Sequence, residues 1–401
     1  MREKVNLILR DRKTSVSEAV GLMNMKEAEK VLAYHKDFPY YSETPLVSLK
    51  NLADRLGVGG IYVKDESRRF GLNAFKALGG SYAIGRYIAD KLGLNSVDYS
   101  KISSPEAKKK LGSLTFATTT DGNHGRGVAW TATTLGYKSV VYMPQGSVPE
   151  RVENIRKAGA EVTVLPMNYD NAVRYTAEMA EKNGWILMQD TSWEGYEKFP
   201  KWIMQGYMTM AYEAYSQFKD LGADKPTHVF LQPGVGSMPA AVLGFFVNAY
   251  GDGYPKTVIV EPDKADCFYR TAKANDGKIH AVTGDMNTIM AGLACGEPNP
   301  IAWSIIGDHA DAFASCPDYV TAKGMRILGN PLGNDERIIS GESGAVGLGL
   351  TAALLGNPDL SELKDCLSLD KNSRILCFST EGDTYKEGYR SVVWDGAYPS
   401  V

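Results

Sequence analysis

The chain has 401 residues, more than one hydrophobic core usually serves, and 44% of them are hydrophobic, so two domains are predicted. Its 44 basic and 47 acidic residues give a formal net charge of -3, and short basic runs such as 108–110 carry no interleaved aromatic residues. This composition argues against nucleic acid or an anionic membrane surface as a partner.

The N-terminal sixty residues are predicted to be a largely helical lead-in. Apolar spacing predicts helices over 15–25, 27–34 and 49–56, and prolines at 39 and 45 interrupt helix formation between the last two. A strand-like run at 61–63 then begins the first stretch with a candidate functional residue.

Lys76 is the central candidate of the whole chain. It follows a glycine-bounded loop and Phe75, and it would lie in the first turn of a helix that continues to residue 92. Desolvation and a positive helix end both lower the pKa of a lysine, and a partly neutral amine can form a Schiff base with a carbonyl cofactor. The alternative is that Lys76 is an ordinary solvated lysine at a helix start.

Beyond a polar, lysine-rich stretch at 93–112, interpreted as an exposed insertion, short apolar runs alternate with helical patterns. The predicted strands are 114–117, 139–143, 161–165, 186–189, 229–232, 257–260 and 374–379. The predicted helices among them are 122–135, 149–158, 171–182, 202–218, 238–250 and 345–355. Such alternation is typical of parallel sheets.

The predicted fold class is therefore α/β, with two open, twisted, mainly parallel sheets that have helices on both faces. The two groups of strands are separated near 195–225. We expect a smaller domain, 86–224, to be inserted in a larger one made of 1–85 and 225–401.

The loop TTTDGNHGRG at 118–127 follows the first strand of this series. Ligands of open α/β sheets bind at the carboxyl ends of strands, and the helix beginning at Asn123 and His124 would present a positive end to a substrate carboxylate. Asp121 would repel that carboxylate and have its own pKa raised, which suits a base that works near neutrality. The alternative is that Asp121 only caps the helix.

The stretch QPGVGSMPAA at 232–241 follows another strand. Gly234, Gly236 and Ser237 precede a helix and form a nest of amides that can hold a phosphate without a cationic side chain. Neither G-x-G-x-x-G nor the P-loop pattern is present, which argues against a nucleotide-binding Rossmann protein.

Two further strand ends carry polar side chains. In FSTEGDT, at 378–384, Ser379 and Thr380 place hydroxyl groups at the end of a strand. In MQDTSWEGYE, at 188–197, Asp190 ends a strand, and the alternative there is an exposed turn aspartate.

These features together resemble the fold type II pyridoxal-phosphate enzymes of the tryptophan synthase β and threonine dehydratase group. The resemblance covers nearly the whole chain, and the motifs occur in the family's order and spacing. The motifs that carry it are Phe75-Lys76, Gly122-Asn123-His124, the glycine-rich stretch 234–238 and Gly341-Glu342-Ser343-Gly344-Ala345.

The resemblance implies pyridoxal 5'-phosphate as the cofactor, bound by the larger domain, with a mobile smaller domain that contacts the substrate. It implies a homodimer and no metal site. It assigns Lys76 to the Schiff base, Asn123 to the phenolic oxygen, the amides of Gly234, Val235, Gly236, Ser237 and Met238 to the phosphate, Ser379 or Thr380 to the pyridine nitrogen, and Glu342 to the vicinity of the cofactor. The choice between Ser379 and Thr380 stays open.

Within the family the chain resembles the ammonia-lyases that act on 2,3-diaminopropionate, and this likeness is carried by Asp121, 73–80, 188–197, 233–238 and 380–383. It implies elimination to pyruvate and two ammonia from the D and L isomers. Lys76 would remove the α-proton of one enantiomer and Asp121 that of the other, while Asp190 contacts the β-ammonium or assists as an acid or base. The implied substrate contacts are Thr119, Thr120, Asp121, His124 and Asp190.

A hydroxyl partner fits elimination because, unlike a carboxylate, it does not hold the pyridine nitrogen protonated. Loss of a β-leaving group then competes well against transamination. The alternatives are a serine or threonine dehydratase or a cysteine desulfhydrase of the same fold, and, from another class, a non-catalytic pyridoxal-phosphate carrier or sensor.

Cysteine usage predicts a reducing, cytoplasmic location. The odd number of cysteines and the absence of any C-x-x-C pair argue against a disulfide framework, and the N-terminus shows no signal-like apolar segment. No run approaches the ~18 apolar residues that span a bilayer. The cysteines are Cys267, Cys295, Cys316, Cys366 and Cys377.

Overall fold

The computed structural model describes residues 4–13, 17–120, 122–223 and 225–399. The chain forms two compact units, and the smaller is inserted in the sequence of the larger. The larger unit comprises Met1–Met25, Glu43–Arg68 and Met210–Val401, and the smaller comprises Lys26–Ser42 and Arg69–Thr209.

Eleven strands are found in the described residues. They are β1 Asn6–Leu9, β2 Leu46–Ser48, β3 Gly60–Asp65, β4 Thr115–Thr119, β5 Lys138–Met143, β6 Glu161–Val164, β7 Ile186–Leu187, β8 His228–Leu231, β9 Lys256–Pro262, β10 Ala312–Cys316 and β11 Arg374–Ser379.

The α-helices of the described residues occur between and after these strands. They are α1 Glu18–Gly21, α2 Met25–Asp37, α3 Lys50–Leu56, α4 Ala77–Leu92, α5 Tyr99–Ile102, α6 Pro105–Leu111, α7 Asn123–Thr134, α8 Pro149–Lys157, α9 Tyr169–Asn183, α10 Lys198–Asp220, α11 Ser237–Tyr250, α12 Cys267–Ala274, α13 Pro300–His309, α14 Asp318–Gly329, α15 Val346–Gly356, α16 Ser361–Cys366 and α17 Lys386–Val393. None of them is long and apolar enough to span a bilayer.

The sheet of the larger unit has seven strands in the order β1-β10-β9-β8-β11-β3-β2. The five inner strands are parallel, whereas β1 and β2 pair antiparallel at the two edges. The central strands β8 and β11 are buried and mostly apolar, as expected of parallel strands covered on both faces. Their carboxyl ends lead into 232–241 and 378–384, so two of the predicted site motifs lie on one sheet.

The sheet of the smaller unit is parallel throughout, in the order β6-β5-β4-β7. Alternate residues of β5 point to opposite faces, as the pleat of a strand requires. Val141 and Met143 pack with residues of α7 and α8, whereas Val140 and Tyr142 pack with Ala172 of α9. Helices therefore cover both faces of this sheet.

The predicted fold class, two mainly parallel sheets in an α/β chain, is confirmed. All seven predicted strands from 114 onward are present, with ends within two residues of the predicted ones. The stretch 93–112, interpreted as an exposed insertion, contains the short helices α5 and α6, capped by the side chains of Asp98 and Ser104. Three strands were not predicted, namely β1, β2 and β10.

The two units do not divide at the predicted domain boundaries. The predicted boundary at 85/86 falls inside α4, a continuous helix, and residues 69–85 group with the smaller unit. Residues 26–42 also belong to the smaller unit, and 210–223 belong to the larger one. The roles given to the two domains stay a prediction.

Candidate active site

Lys76 lies at the N-cap of α4, as the sequence predicts. The start of this helix is packed against two glycines of neighbouring helices. A Cβ atom at Gly127 of α7 would lie 3.0 Å from the Cα of Ala77, and one at Gly206 of α10 would lie 2.4 Å from the carbonyl oxygen of Leu78. Because only glycine allows such approach, α7 and α10 fix the backbone that carries Lys76.

The amine of Lys76 is paired with Asp190. Nζ donates a hydrogen bond to Oδ2 at 2.9 Å, and the two side chains are 19% and 5% exposed. Nδ1 of His124 lies 3.8 Å from the same carboxylate oxygen. The structure therefore brings three predicted site residues, Lys76, His124 and Asp190, into one cluster within the smaller unit.

The charge state of Asp190 follows from these neighbours. Burial acts to raise its pKa, but the adjacent His124 and Lys76 and the hydrogen bond from Lys76 outweigh burial and lower the pKa to about 2. Asp190 is thus a carboxylate at neutral pH. The alternative of an exposed turn aspartate is wrong, since Asp190 is buried.

Hydrogen bonds hold the segment that presents Asp190. The hydroxyl of Tyr196 accepts from the backbone N–H of Gln189 at 2.8 Å and donates to the carbonyl of Leu187 at 2.9 Å. The carboxamide oxygen of Gln189 accepts from the N–H of Thr119 at 3.0 Å. The indole of Trp193 stacks on Tyr196 with ring centroids 4.4 Å apart.

His124 has one ring nitrogen assigned by its partner. Nε2 lies 2.7 Å from the carbonyl oxygen of Met188, which can only accept, so Nε2 carries hydrogen. This bond ties the first turn of α7 to the residue two positions before Asp190. His124 therefore positions the carboxylate as well as facing it.

Thr119, the last residue of β4, and Thr120, which follows it, have local partners. The hydroxyl of Thr119 contacts Thr176 and donates to the carbonyl of Ala172, both in α9, so this side chain is held by α9 rather than by the Lys76 cluster. The hydroxyl of Thr120 accepts from the N–H of Gly122 at 2.9 Å. Asn123 is the first residue of α7. Asp121 lies outside the described residues.

The predicted phosphate-binding stretch lies at the N-terminus of α11, in the larger unit. Gly236 has φ of +99°, a left-handed conformation, and a Cβ there would lie 2.3 Å from Cζ of Phe268. A Cβ at Gly234 would lie 2.8 Å from the carbonyl oxygen of Gly292. Among described residues, the backbone N–H groups of Gly234, Val235, Gly236 and Met238 donate to no backbone oxygen. A cradle of N–H groups at a helix N-terminus, without any cationic side chain of its own, fits a phosphate.

Ser379 and Thr380 make different hydrogen bonds. The hydroxyl of Ser379 donates to Oγ of Ser340 at 2.9 Å. The hydroxyl oxygen of Thr380 accepts from Nε2 of Gln232 at 3.2 Å. Both threonine and serine lie at the end of β11, in the same unit as the phosphate cradle.

Glu342 and Glu381 are both buried in the larger unit. The carboxylate of Glu342 lies close to α17, because a Cβ at Gly388 would be 2.8 Å from its Oε1. The carboxylate of Glu381 accepts from the N–H of Ser343 at 3.0 Å. This contact ties the 341–345 motif to the end of β11.

Two residues that contact this machinery were missed in the sequence. Gln232 contacts Thr380, and the phenol ring of Tyr207 packs on Phe75 with ring centroids 4.8 Å apart. The buried hydroxyl of Tyr207 has no hydrogen-bond partner among the described residues. The signal for Tyr207 was the Gly79-Gly80 pair in a predicted helix, since a Cβ at Gly79 would lie 2.6 Å from the Tyr207 ring.

The chain matches known proteins over almost its full length. Residues 38–381 match the family model described as pyridoxal-phosphate dependent enzyme. The chain is 52% identical over 390 residues to diaminopropionate ammonia-lyase of Salmonella typhimurium, with 96% of each chain covered.

Two solved structures of diaminopropionate ammonia lyase from Escherichia coli are similar to this one. The complex with D-serine has a TM-score of 0.92 and 48% identity, covering 99% of this chain and 98% of that one. The complex with an aminoacrylate-PLP azomethine reaction intermediate has a TM-score of 0.90 and 49% identity, covering 98% of each chain.

Proposed function

The chain belongs to the family of pyridoxal-phosphate dependent enzymes, and from this premise we propose that it eliminates ammonia from 2,3-diaminopropionate, giving pyruvate and two ammonia. The near full-length likeness to diaminopropionate ammonia-lyases supports the substrate. In the structure, the single observation that carries the proposal is the pairing of a helix-start lysine with a buried carboxylate, Lys76 with Asp190.

The residues present fit pyridoxal 5'-phosphate. The cradle of N–H groups at 234–238, whose two glycines are packed too closely against Gly292 and Phe268 for a Cβ, suits its phosphate, and Lys76 is a suitable amine for its aldehyde. We assign Asn123 to the phenolic oxygen, Ser379 or Thr380 to the pyridine nitrogen and Glu342 to its vicinity. When bound, the cofactor supplies an electron-withdrawing ring that stabilises negative charge at the substrate α-carbon.

Asp190 is proposed to bind the β-ammonium of the substrate. A buried carboxylate is a strong hydrogen-bond acceptor for an ammonium group. It already holds one ammonium, that of Lys76. Once Nζ of Lys76 is bonded to the cofactor, Asp190 becomes available to the ammonium that leaves as ammonia.

Two bases are proposed for the two enantiomers. Lys76, when its amine is free, would remove the α-proton from the face it can reach. Asp121, which follows Thr120 and precedes α7 in sequence, would serve the opposite face. The α-proton passes to that base, the β-ammonium leaves Cβ as ammonia, and the enamine released hydrolyses to pyruvate and a second ammonia.

The remaining proposals concern the whole protein. We infer a homodimer and a cytoplasmic location from the family likeness and from the cysteine usage. We also keep the expectation that the smaller domain moves when substrate binds. The proposed substrate-binding set is Thr119, Thr120, Asp121, His124 and Asp190.

The first experiment locates the cofactor. Borohydride reduction of the holoenzyme, followed by peptide mapping, is expected to place the label on Lys76. Lys76→Ala should lose the label and pyruvate formation, whereas Lys198→Ala, at an exposed lysine, should keep both. A label on any other lysine would refute the proposal.

The second experiment decides among elimination activities. Pyruvate formation is measured with D- and L-diaminopropionate, serine, threonine and cysteine, counting 2-oxobutyrate for threonine. We expect the highest kcat/KM with diaminopropionate. A preference for serine, threonine or cysteine would favour the dehydratase or desulfhydrase alternatives, and cofactor absorbance without any oxoacid would favour a carrier or sensor.

A further inference from the structure

Gln232 is a buried residue that lies just after β8 and directly before the phosphate cradle. Its carboxamide Nε2 donates to the carbonyl oxygen of Phe378 at 2.8 Å and to the hydroxyl oxygen of Thr380 at 3.2 Å. Strands β8 and β11 are parallel neighbours, with Phe230 opposite Cys377. Gln232 therefore links the carboxyl ends of the two central strands.

The orientation of this carboxamide is fixed by its partners. The carbonyl oxygen of Phe378 can only accept, so the amide must turn its NH2 group toward it. The second hydrogen of the same group then points to Thr380, whose oxygen must accept. The hydroxyl proton of Thr380 is thereby directed away from Gln232.

The two candidate hydroxyls differ in what their protons do. The hydroxyl of Ser379 donates its proton to Oγ of Ser340. Thr380 is buried, and no acceptor for its proton is found among the described residues. The neighbouring carboxylate of Glu381 is turned to the N–H of Ser343 and to the hydroxyl of Thr384. A buried donor without an acceptor is unfavourable unless a ligand supplies one.

Gln232 also has a buried polar atom that lacks a hydrogen-bond partner. Its carboxamide oxygen is buried and has no partner in the described residues. An unpaired buried acceptor destabilises a fold, so an apolar residue of the same shape would serve packing better. This feature points to a role other than stability.

We propose that Gln232 is a positioning residue that sets the hydroxyl of Thr380 as a hydrogen-bond donor to the pyridine nitrogen of the cofactor. The proposal rests on the proposed function. Donation by Thr380 satisfies its buried proton only if the ring nitrogen is unprotonated, the state in which loss of a β-leaving group competes well. Gln232 acts through Thr380 and is not itself a catalytic residue.

The test replaces Gln232 with methionine, which keeps the volume and removes both donors. The carbonyl of Phe378 then lacks a donor, and the hydroxyl of Thr380 is free to turn toward it and away from the ring. The holoenzyme, loaded with cofactor labelled with 15N at the ring nitrogen, is examined by NMR. We expect the wild-type signal of an unprotonated nitrogen that accepts a hydrogen bond.

In Gln232→Met and in Thr380→Val the signal should move toward that of a nitrogen with no hydrogen bond, and kcat should fall roughly five- to tenfold. Thr380→Ser should retain the wild-type signal. Ser379→Ala, the matched change at the other hydroxyl, should leave the ring-nitrogen signal in place. The double variant Gln232→Met with Thr380→Val should move the signal no further than either single change.

The role of Gln232 is refuted if Gln232→Met leaves the signal unchanged, if Ser379→Ala moves it, if the double-variant effects add, or if the wild-type nitrogen is protonated. Should Gln232→Met fail to fold, Gln232→Glu gives the same expectation, because the oxygen facing Thr380 can accept its proton in either charge state. Loss of cofactor attachment to Lys76 in the wild type would instead overturn the proposed function. If the cofactor is attached to Lys76 but the ring-nitrogen signal does not respond to Gln232→Met, only the role of Gln232 is overturned.

Discussion

Nζ of Lys76 donates to Oδ2 of Asp190 across 2.9 Å, although the two residues are 114 positions apart in the chain. Both side chains are largely buried, so the pair is formed in an environment where charges interact strongly. The carboxylate that holds the ammonium of Lys76 is the one that we propose to hold the β-ammonium of the substrate.

Replacing Asp190 with asparagine should lower kcat/KM more for a substrate with a β-ammonium than for a substrate without one. The change keeps the shape and removes the charge, so a hydrogen bond to an ammonium worth about 2 kcal/mol is lost, a factor of about 30 in kcat/KM. Diaminopropionate has a β-ammonium and serine does not. We expect the ratio of kcat/KM for D-diaminopropionate over D-serine to fall by that factor, measured as pyruvate formation.

The matched control is Glu197→Gln, an exposed carboxylate seven residues further along that pairs with Lys201. It should leave the ratio unchanged. An equal loss of kcat/KM on both substrates in Asp190→Asn would argue that Asp190 only orders the site.

The same carboxylate should contribute to acid stability in the cofactor-free protein. Its pKa is lowered to about 2, below the ordinary value of about 3.9 for aspartate, because the pulls of His124 and Lys76 outweigh burial. The contribution of Asp190 to the free energy of unfolding is complete above the pKa of an unfolded aspartate. It is lost as pH falls from about 4 to about 2, and it is on the order of 2 kcal/mol. Urea midpoints measured at pH 6 and pH 3 should fall less in Asp190→Asn than in wild type, and an equal fall in both would contradict the pairing.

Gly206→Ala should disturb the helix that carries Lys76. The new Cβ would lie 2.4 Å from the carbonyl oxygen of Leu78, so α10 must shift from the start of α4. We expect a loss of about 1–3 kcal/mol in stability and slower attachment of the cofactor to Lys76. Thermal unfolding and the growth of cofactor absorbance after mixing are the measurements.

Gly21→Ala is the matched control, because nothing lies within 4 Å of a Cβ at that position. It should change neither measurement. Normal attachment kinetics in Gly206→Ala would show that the packing of α10 does not set the position of Lys76.

Gly236→Ala should weaken cofactor binding. The residue has φ of +99° and its Cβ would lie 2.3 Å from the ring of Phe268, so the backbone must leave its left-handed conformation or the cradle must open. We expect a cost of about 2–4 kcal/mol from strain and overpacking, which corresponds to a Kd raised roughly 30- to 1,000-fold. Equilibrium dialysis of pyridoxal 5'-phosphate against the protein measures it.

Gly356→Ala provides the control in the same unit, since its Cβ would make only an ordinary contact of 3.7 Å with Leu56. It should bind the cofactor as the wild type does. A Gly236→Ala protein with unaltered affinity would remove the stretch 234–238 from the phosphate site.

Strands with a continuous apolar run could be predicted from the sequence, whereas the short edge strands could not. In Arg374–Ser379 the last five residues are buried, and the predicted bounds, 374–379, are those of the strand. The edge strands β1 and β2 have three or four residues and depend on pairing with β10 and β3. Ala312–Cys316 has Phe313 as its one large apolar side chain, and it is a strand because of its position in the sheet.

For the site, single residues were predictable and their partners were not. Lys76 was placed at a helix start from its flanking residues, and the glycines of 234–236 were recognisable from their position after a strand. The Lys76–Asp190 pair joins segments far apart in sequence, and no local pattern encodes it. Gln232 was passed over because a glutamine before a Pro-Gly turn is unremarkable until its contact with Thr380 is seen.

The stretch Gly234–Met238 contains no ionised side chain. Attraction exerted by backbone dipoles acts over a few ångströms, well within the Debye length of about 8 Å at physiological ionic strength. Retention of the vitamin by this protein should therefore vary little as potassium chloride is raised, unlike that of a site built from lysine and arginine.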